Sequence, residues 1–249
     1  MSHAYDFEKH RRDWGHPPVD DVGYLSSEEL LNKPAPELEE IVRTMERTRY
    51  AGWRNHGNRW RECLGLDSTS GKRVLDFGCG IGLEALQFAP RNVVLVADIV
   101  PANVRLAVRV ASLFGHTVHP LLVESEPPYF EIEPVDVFYA NGVLHHIPYA
   151  ESVLRRAAEI AGEIRLMLYS DRGWTKYVGE PLPAVDADVR EAPGFPRFVR
   201  AFDQVGDYAD WYSEEKIRSR FGSFLRLESF NYITDDERYC VAILRPIRQ

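Results

Sequence analysis

The sequence predicts an α/β fold, with a mostly parallel sheet, helices on both faces and an antiparallel β-hairpin at the C-terminal end. Three observations predict it. From Arg73 to Tyr169, short apolar runs alternate with segments of helical period, the pattern of βα units around a sheet buried on both faces. One run, "VLDFGCGIG" at 74–82, ends in an acid and breaks into Gly78, Gly80 and Gly82 before helical spacing resumes. Near the end, "FLRLESFNYI" and "RYCVAILR" are separated only by "TDDE". That connection is too short for a parallel crossover, so these two strands must pair antiparallel.

The elements follow in order. Residues 1 to about 35 are polar and aromatic, interrupted by Pro17, Pro18 and Pro34. "SSEELL" at 26–31 offers a helix start, with Ser26 as cap and Glu29 three residues on. From 36 to about 50, Leu38, Ile41, Val42 and Met45 share one helical face. "YAGWRNHGNRW" and a short helix ending at Leu64 lead to the polar turn "GLDSTSGK". Residues 1–70 are therefore expected to form a helical cap or lid on a main domain spanning 71–249. In that domain the spacing predicts strands at 74–77, 93–98, 118–123, 135–140 and 164–169, and helices at 82–88, 101–114, 150–160 and 214–221. Residues 171–212 form an insert rich in proline and aromatic residues, and its aromatic content argues against disorder.

Composition narrows the function. In 249 residues, 45% are hydrophobic and 27% charged, as expected of a soluble globular chain with a core. A formal net charge of -8 supplies no electrostatic footprint for a phosphate backbone, which disfavours nucleic-acid partners. The three cysteines are scattered without metal-type spacing, so no metal is expected and a reduced, cytoplasmic setting fits. No membrane partner is expected, since no stretch approaches a membrane span and the N-terminus lacks a signal-type apolar run.

The glycine spacing selects the ligand class. A dinucleotide fingerprint needs G-x-G-x-x-G, but here Leu83 occupies the third slot and Gly82 comes one residue early. The resulting D-x-G-x-G-x-G from Asp76 to Gly82 resembles motif I of the class I S-adenosylmethionine (SAM)-dependent methyltransferases. Asp98 at the end of the second predicted strand, "YANGVLHHIP" at 139–148 and the terminal hairpin extend the resemblance. It implies a Rossmann-like seven-stranded sheet, SAM as cofactor with S-adenosylhomocysteine as product, and a small-molecule acceptor such as a sugar or natural product. The Asn/Asp-Pro-Pro-aromatic tetrad of members acting on nucleobase or amide nitrogen is replaced by Asn141-Gly142-Val143-Leu144. Methylation therefore points to oxygen or nitrogen of a metabolite, by a monomer or homodimer. Three other readings stay open: an RNA or protein methyltransferase, a SAM-binding protein of the same fold that does not methylate, and a nicotinamide dehydrogenase, which the glycine spacing disfavours.

The resemblance also nominates residues. Asp76, Gly78, Cys79, Gly80 and Gly82 would frame the cofactor, with Cys79 a small packing residue rather than a nucleophile. Asp98 would accept the ribose hydroxyls, with Ile99 beside it, unless it only caps the helix that follows. Glu124, with Glu126 as competitor, is the candidate near the adenine amino group, and Asn141 would line the methionine side. Tyr50 or Arg54 would hold the methionine carboxylate, the alternative being helix-surface charge. His145, slightly preferred, or His146 is the candidate general base, the alternative being a loop-bracing hydrogen bond. Trp174, Tyr177, Arg197 and Arg200 of the insert are the acceptor-binding candidates, and at least one of Arg190, Arg197 and Arg200 is expected to recognise an anionic or strongly polar group on it. The alternatives there are a satellite aromatic core and solvated surface charges.

Overall fold

A computed structural model describes residues 6–16, 25–50, 59–125, 131–202 and 208–248, with Arg49 and Tyr50 described by backbone alone. Four helices precede the sheet: α1 (Phe7–Asp13), α2 (Ser27–Leu31), α3 (Ala35–Met45) and α4 (Arg59–Leu64). Then come β1 (Arg73–Phe77), α5 (Leu83–Phe88), β2 (Val93–Asp98), α6 (Pro101–Leu113), β3 (His119–Leu122), β4 (Val135–Asn141), α7 (Ala150–Ile160) and β5 (Ala161–Tyr169). The insert supplies α8 (Asp171–Val178) and α9 (Phe195–Phe202), before α10 (Glu214–Phe221), β6 (Leu225–Ile233) and β7 (Tyr239–Pro246). The seven strands form one sheet in the order β3-β2-β1-β4-β5-β7-β6. β7 enters between β5 and β6, antiparallel to both, and β1 to β5 are parallel.

The sheet divides the apolar core in two. Side chains alternate along each strand, so Val74 and Val96 face one side while Leu75 and Leu95 face the other. The first side is covered by α5, α6 and the N-terminal helices, whose Leu38, Ile41, Val42, Met45, Trp60 and Leu64 join it. The second side is covered by α7 and α10. The N-terminal helices thus bury their apolar face on the same core that supports the glycine loop. α2 begins in the expected capping box, Ser26 accepting from the Glu29 N–H while Glu29 accepts from the Ser26 N–H. α1 was not expected from the sequence. Asp6 caps it, but it buries no residue and so leaves no apolar stripe to detect.

The insert packs as a third cluster. Tyr169, Trp174, Phe198 and Trp211 meet there, with Phe202 and Tyr239 against them. Among the described residues no helix is long and apolar enough to cross a membrane.

Candidate active site

The sheet order reverses direction between β1 and β4, and a ligand crevice belongs above that point, beyond the carboxyl ends of the strands. The structure places an open cleft there. Gly78, Cys79, Gly80 and Ile81 form its floor, Asp98 and Ile99 one wall, and Asn141 to Val143 another.

Gly78, Gly80 and Gly82 all have positive φ, at +74°, +50° and +84°. Each has a different neighbour. A Cβ on Gly78 would strike Val143, and one on Gly82 would lie 2.9 Å from the Ala107 Cα of α6, so these two permit close packing. A Cβ on Gly80 would meet nothing within 4 Å, and Gly80 lies on the cleft wall. The loop does not aim all its N–H groups at a ligand, as the sequence suggests. Gly78 and Cys79 donate to the Ala97 carbonyl, and Gly80 donates to Asp98 Oδ2 at 3.0 Å. Such a floor suits a ligand without the pyrophosphate that a dinucleotide loop binds.

Asp98 is 6% exposed. Its Oδ1 accepts from the Val100 N–H at 2.9 Å and from Asn103 Nδ2 at 3.2 Å. Helix α6 has Val100 as N-cap with no side-chain cap, so Asp98 is not that helix's cap. Burial pushes its carboxyl up to about 6, against the pull of the Val100 and Gly80 N–H groups. Asn103 also donates to the Trp14 carbonyl and pairs with Ser27, tying the ends of α1 and α2 to Asp98.

Two more acids stand nearby. Glu84 lies on the cleft wall and accepts from Asn141 Nδ2 at 2.6 Å, while Trp60 Nε1 donates to Asn141 Oδ1 at 3.3 Å. Asp76 is buried behind them, and its Oδ2 finds no hydrogen-bond partner among the described residues. Burial first, then the Glu84 and Asp98 charges, push Asp76 well above the usual carboxylate range. Burial likewise raises the Cys79 thiol, which makes it a packing group rather than a nucleophile.

The histidine pair separates into two roles. His145 is 1% exposed, stacks on Tyr169 at 3.6 Å, and its Nδ1 accepts from the Tyr169 N–H at 3.0 Å. His146 is the one on the cleft wall, its ring 4.7 Å from that of Trp14. His145 does not line the cleft, and its ring braces the end of β5. His10, Trp14 and Met45 complete the wall from the N-terminal helices. His10 and Trp14 escape a sequence reading because α1 carries no amphipathic pattern.

Gly78, Cys79, Gly80, Asp98, Ile99, Asn141 and His146 thus converge on one cleft. Gly82 and Asp76 support it from behind. Glu124 is exposed and off the wall, whereas Val123 and Ser125 lie on it. Arg54, Glu126 and the Tyr50 side chain fall outside the described residues. Trp174, Tyr177, Arg197 and Arg200 do not line the cleft among the described residues. Trp174 is buried and donates to the Glu180 carbonyl, and Tyr177 donates to Asp236. Arg197 pairs with Glu180 at 3.3 Å, Arg190 pairs with Asp188, and Arg200 is exposed.

Comparison with known proteins decides the family. A family model described as a methyltransferase domain matches residues 45–233. The chain belongs to that methyltransferase family. This methyltransferase is also similar in fold to solved structures. An N-methyltransferase of Bradyrhizobium japonicum WM9 in complex with S-adenosylhomocysteine is 13% identical, with 98% of this chain and 100% of that one covered, at a TM-score of 0.56. The magnesium protoporphyrin IX methyltransferase of Synechocystis PCC 6803 with bound S-adenosylhomocysteine is 18% identical, covering 98% and 94%, at a TM-score of 0.51. A SAM-dependent methyltransferase of Clostridium acetobutylicum ATCC 824 is 10% identical, covering 83% and 97%, at a TM-score of 0.56. No curated protein matches.

Proposed function

We propose that this methyltransferase transfers a methyl group from SAM to an oxygen or nitrogen atom of a small metabolite. The observation that carries the reading is Asp98, a buried carboxylate on the cleft wall at the end of β2, beside a glycine whose missing side chain leaves space. SAM bound there supplies an activated methyl carbon on a sulfonium.

The chain's own residues then have three tasks. Asp98 accepts from the ribose hydroxyls in competition with the Val100, Gly80 and Asn103 donors it already holds, and Ile99 packs beside it. Glu84 and Asp98 put acidic side chains on the wall, suited to a ligand with a positive sulfonium and an ammonium, with Asp76 buried behind them. Asn141, held between Glu84 and Trp60, orients that wall. At the acceptor end, His146 lies with Trp14, His10 and Tyr149 on the wall, where an imidazole can take the proton a hydroxyl or amine loses. The rest is alignment, since direct displacement rewards positioning. The insert acts through its frame: Trp174, Tyr177 and Arg197 tie it together, and Tyr208 reaches His146 from it. The net charge of -8 fits a small-molecule acceptor better than RNA.

The test is incubation of purified protein with methyl-labelled SAM and a panel of sugars, phenols, amines and acids. Label should appear in one acceptor class and in no RNA or protein fraction. Binding of SAM without transfer to any acceptor would favour the non-methylating reading.

A further inference from the structure

Helix α1 and its C-cap bring His10 and Trp14 to the cleft wall, yet the helix buries no residue of its own. Packing alone therefore fixes it weakly. The Trp14 indole N–H is buried without a hydrogen-bond partner among the described residues, so the ring has no polar anchor. The anchors are on the backbone behind it. The Ser27 N–H donates to the Gly15 carbonyl at 3.0 Å, and Asn103 Nδ2 donates to the Trp14 carbonyl at 3.2 Å.

The same asparagine reaches the cofactor wall. Asn103, on the first turn of α6, is 2% exposed and lines the cleft. Its Nδ2 also donates to Asp98 Oδ1 at 3.2 Å, and its Oδ1 accepts from the Ser27 hydroxyl. A primary amide has two N–H donors at one end and an acceptor at the other. Here the donor end meets the Asp98 carboxylate and the Trp14 carbonyl, both of which only accept, while the oxygen meets a hydroxyl. Turning the amide over would set its oxygen against both acceptors. One orientation therefore satisfies the site.

We propose that Asn103 is a positioning residue whose single amide joins Asp98, the Trp14 carbonyl and Ser27, so that the carboxylate for the ribose and the α1 wall take up their places together. By linkage, a change at Asp98 is then felt at Trp14, and loss of the Asn103 bonds lowers affinity for the ligand between them. Its meaning for cofactor binding rests on the proposed SAM reading of the cleft, but the link is observable without any ligand. Trp14 reports its own position, because its ring lies 4.7 Å from that of His146 and senses that neighbour's ring current.

The first experiment is fluorine NMR of the full chain labelled with fluorotryptophan, with Trp14→Phe assigning one of the five tryptophans. It is run without ligand at a pH about two units above histidine's usual 6.5, so that imidazole titration stays out of the signal. Asp98→Ala is expected to move the Trp14 resonance when Asn103 is present. In Asn103→Leu, which fills the same place without hydrogen bonds, Asp98→Ala should leave that resonance where it was. A Trp14 resonance unmoved by Asp98→Ala alone overturns the proposal and needs no change at Asn103. So does an equal movement in both backgrounds, because the effect then travels by another route.

The second experiment is calorimetry with S-adenosylhomocysteine. Asn103→Leu should weaken its binding by about fivefold or more, from the lower end of typical coupling energies upwards. Trp14→Ala should weaken binding when Asn103 is present and scarcely further in Asn103→Leu, a pattern that a loss of stability alone does not produce. Equal losses on Trp14→Ala in the two backgrounds overturn the positioning role. Absence of binding to wild type would overturn the cofactor reading alone, since the resonances are compared without ligand.

Discussion

At the scale of single residues, Asp98 connects cofactor affinity to pH. Its side chain is predicted to hold two ribose hydroxyls, so Asp98→Ala should weaken SAM binding by about 1.5–3 kcal/mol, the range for charge-assisted bonds, as measured by calorimetry. The accepting form is the carboxylate, and its carboxyl titrates at about 6 in the free protein. SAM affinity should therefore fall as pH drops through about 6, and in Asp98→Asn this dependence should disappear. The effect on folding has the opposite sign. Because the folded state takes up this proton more readily than the unfolded chain, the group favours folding as pH falls from about 6 towards the ordinary 3.8, and this gain is lost as pH rises through about 6. The histidines divide at the same scale. Once an acceptor is known, His146→Ala should lower kcat by roughly 10²–10⁴-fold with the Kd for SAM nearly unchanged. His145→Ala should instead lower the melting temperature, because it removes a buried ring stacked on Tyr169. Equal kinetic losses with equal stabilities in the two variants would contradict this division.

At the scale of elements, α1 joins function to very little stability. It buries no residue, yet its end supplies His10 and Trp14 to the cleft and a carbonyl to Asn103. Deleting residues 1–16 should therefore change the melting temperature of the free protein little. The rise produced by S-adenosylhomocysteine should shrink, because the wall over its site is gone. A truncated protein that melts far below the full chain would show instead that α1 is part of the core. The reverse holds for α3, whose Leu38, Ile41, Val42 and Met45 lie in the core beneath the glycine loop. Truncating Leu38, Ile41 or Met45 to alanine should cost about 2–5 kcal/mol, as read from denaturant unfolding.

At the scale of the whole molecule, the fold places an acidic crevice where the sheet order reverses, and ligand choice should register as global stability. SAM at 100 times its Kd should stabilise the folded state by about 2.7 kcal/mol. For a chain of this size that is a rise of roughly 5–10 °C in melting temperature. NAD should produce none, since the Gly78 and Cys79 N–H groups are already bonded to Ala97 rather than open to a pyrophosphate. A rise with NAD and none with SAM would reverse the ligand assignment.

How much was legible in advance differs by element for physical reasons. The sequence by itself determined the parallel strands, the terminal hairpin and the Asp98 wall, because apolar period, loop length and glycine spacing are local properties written residue by residue. Ser26–Glu29 and the face formed by Leu38, Ile41, Val42 and Met45 belong to the same class. Only the tertiary structure decided which histidine meets the cleft. His145 and His146 are adjacent and chemically identical, and their roles diverge because β5 binds one ring and a segment of the distant insert meets the other. It also decided that the insert's Trp174 is buried in its own cluster while Tyr177 is exposed and bonds Asp236, and that His10 and Trp14 stand over the cleft. Those placements depend on contacts between residues far apart in the chain, and such contacts leave no period or spacing in the local sequence.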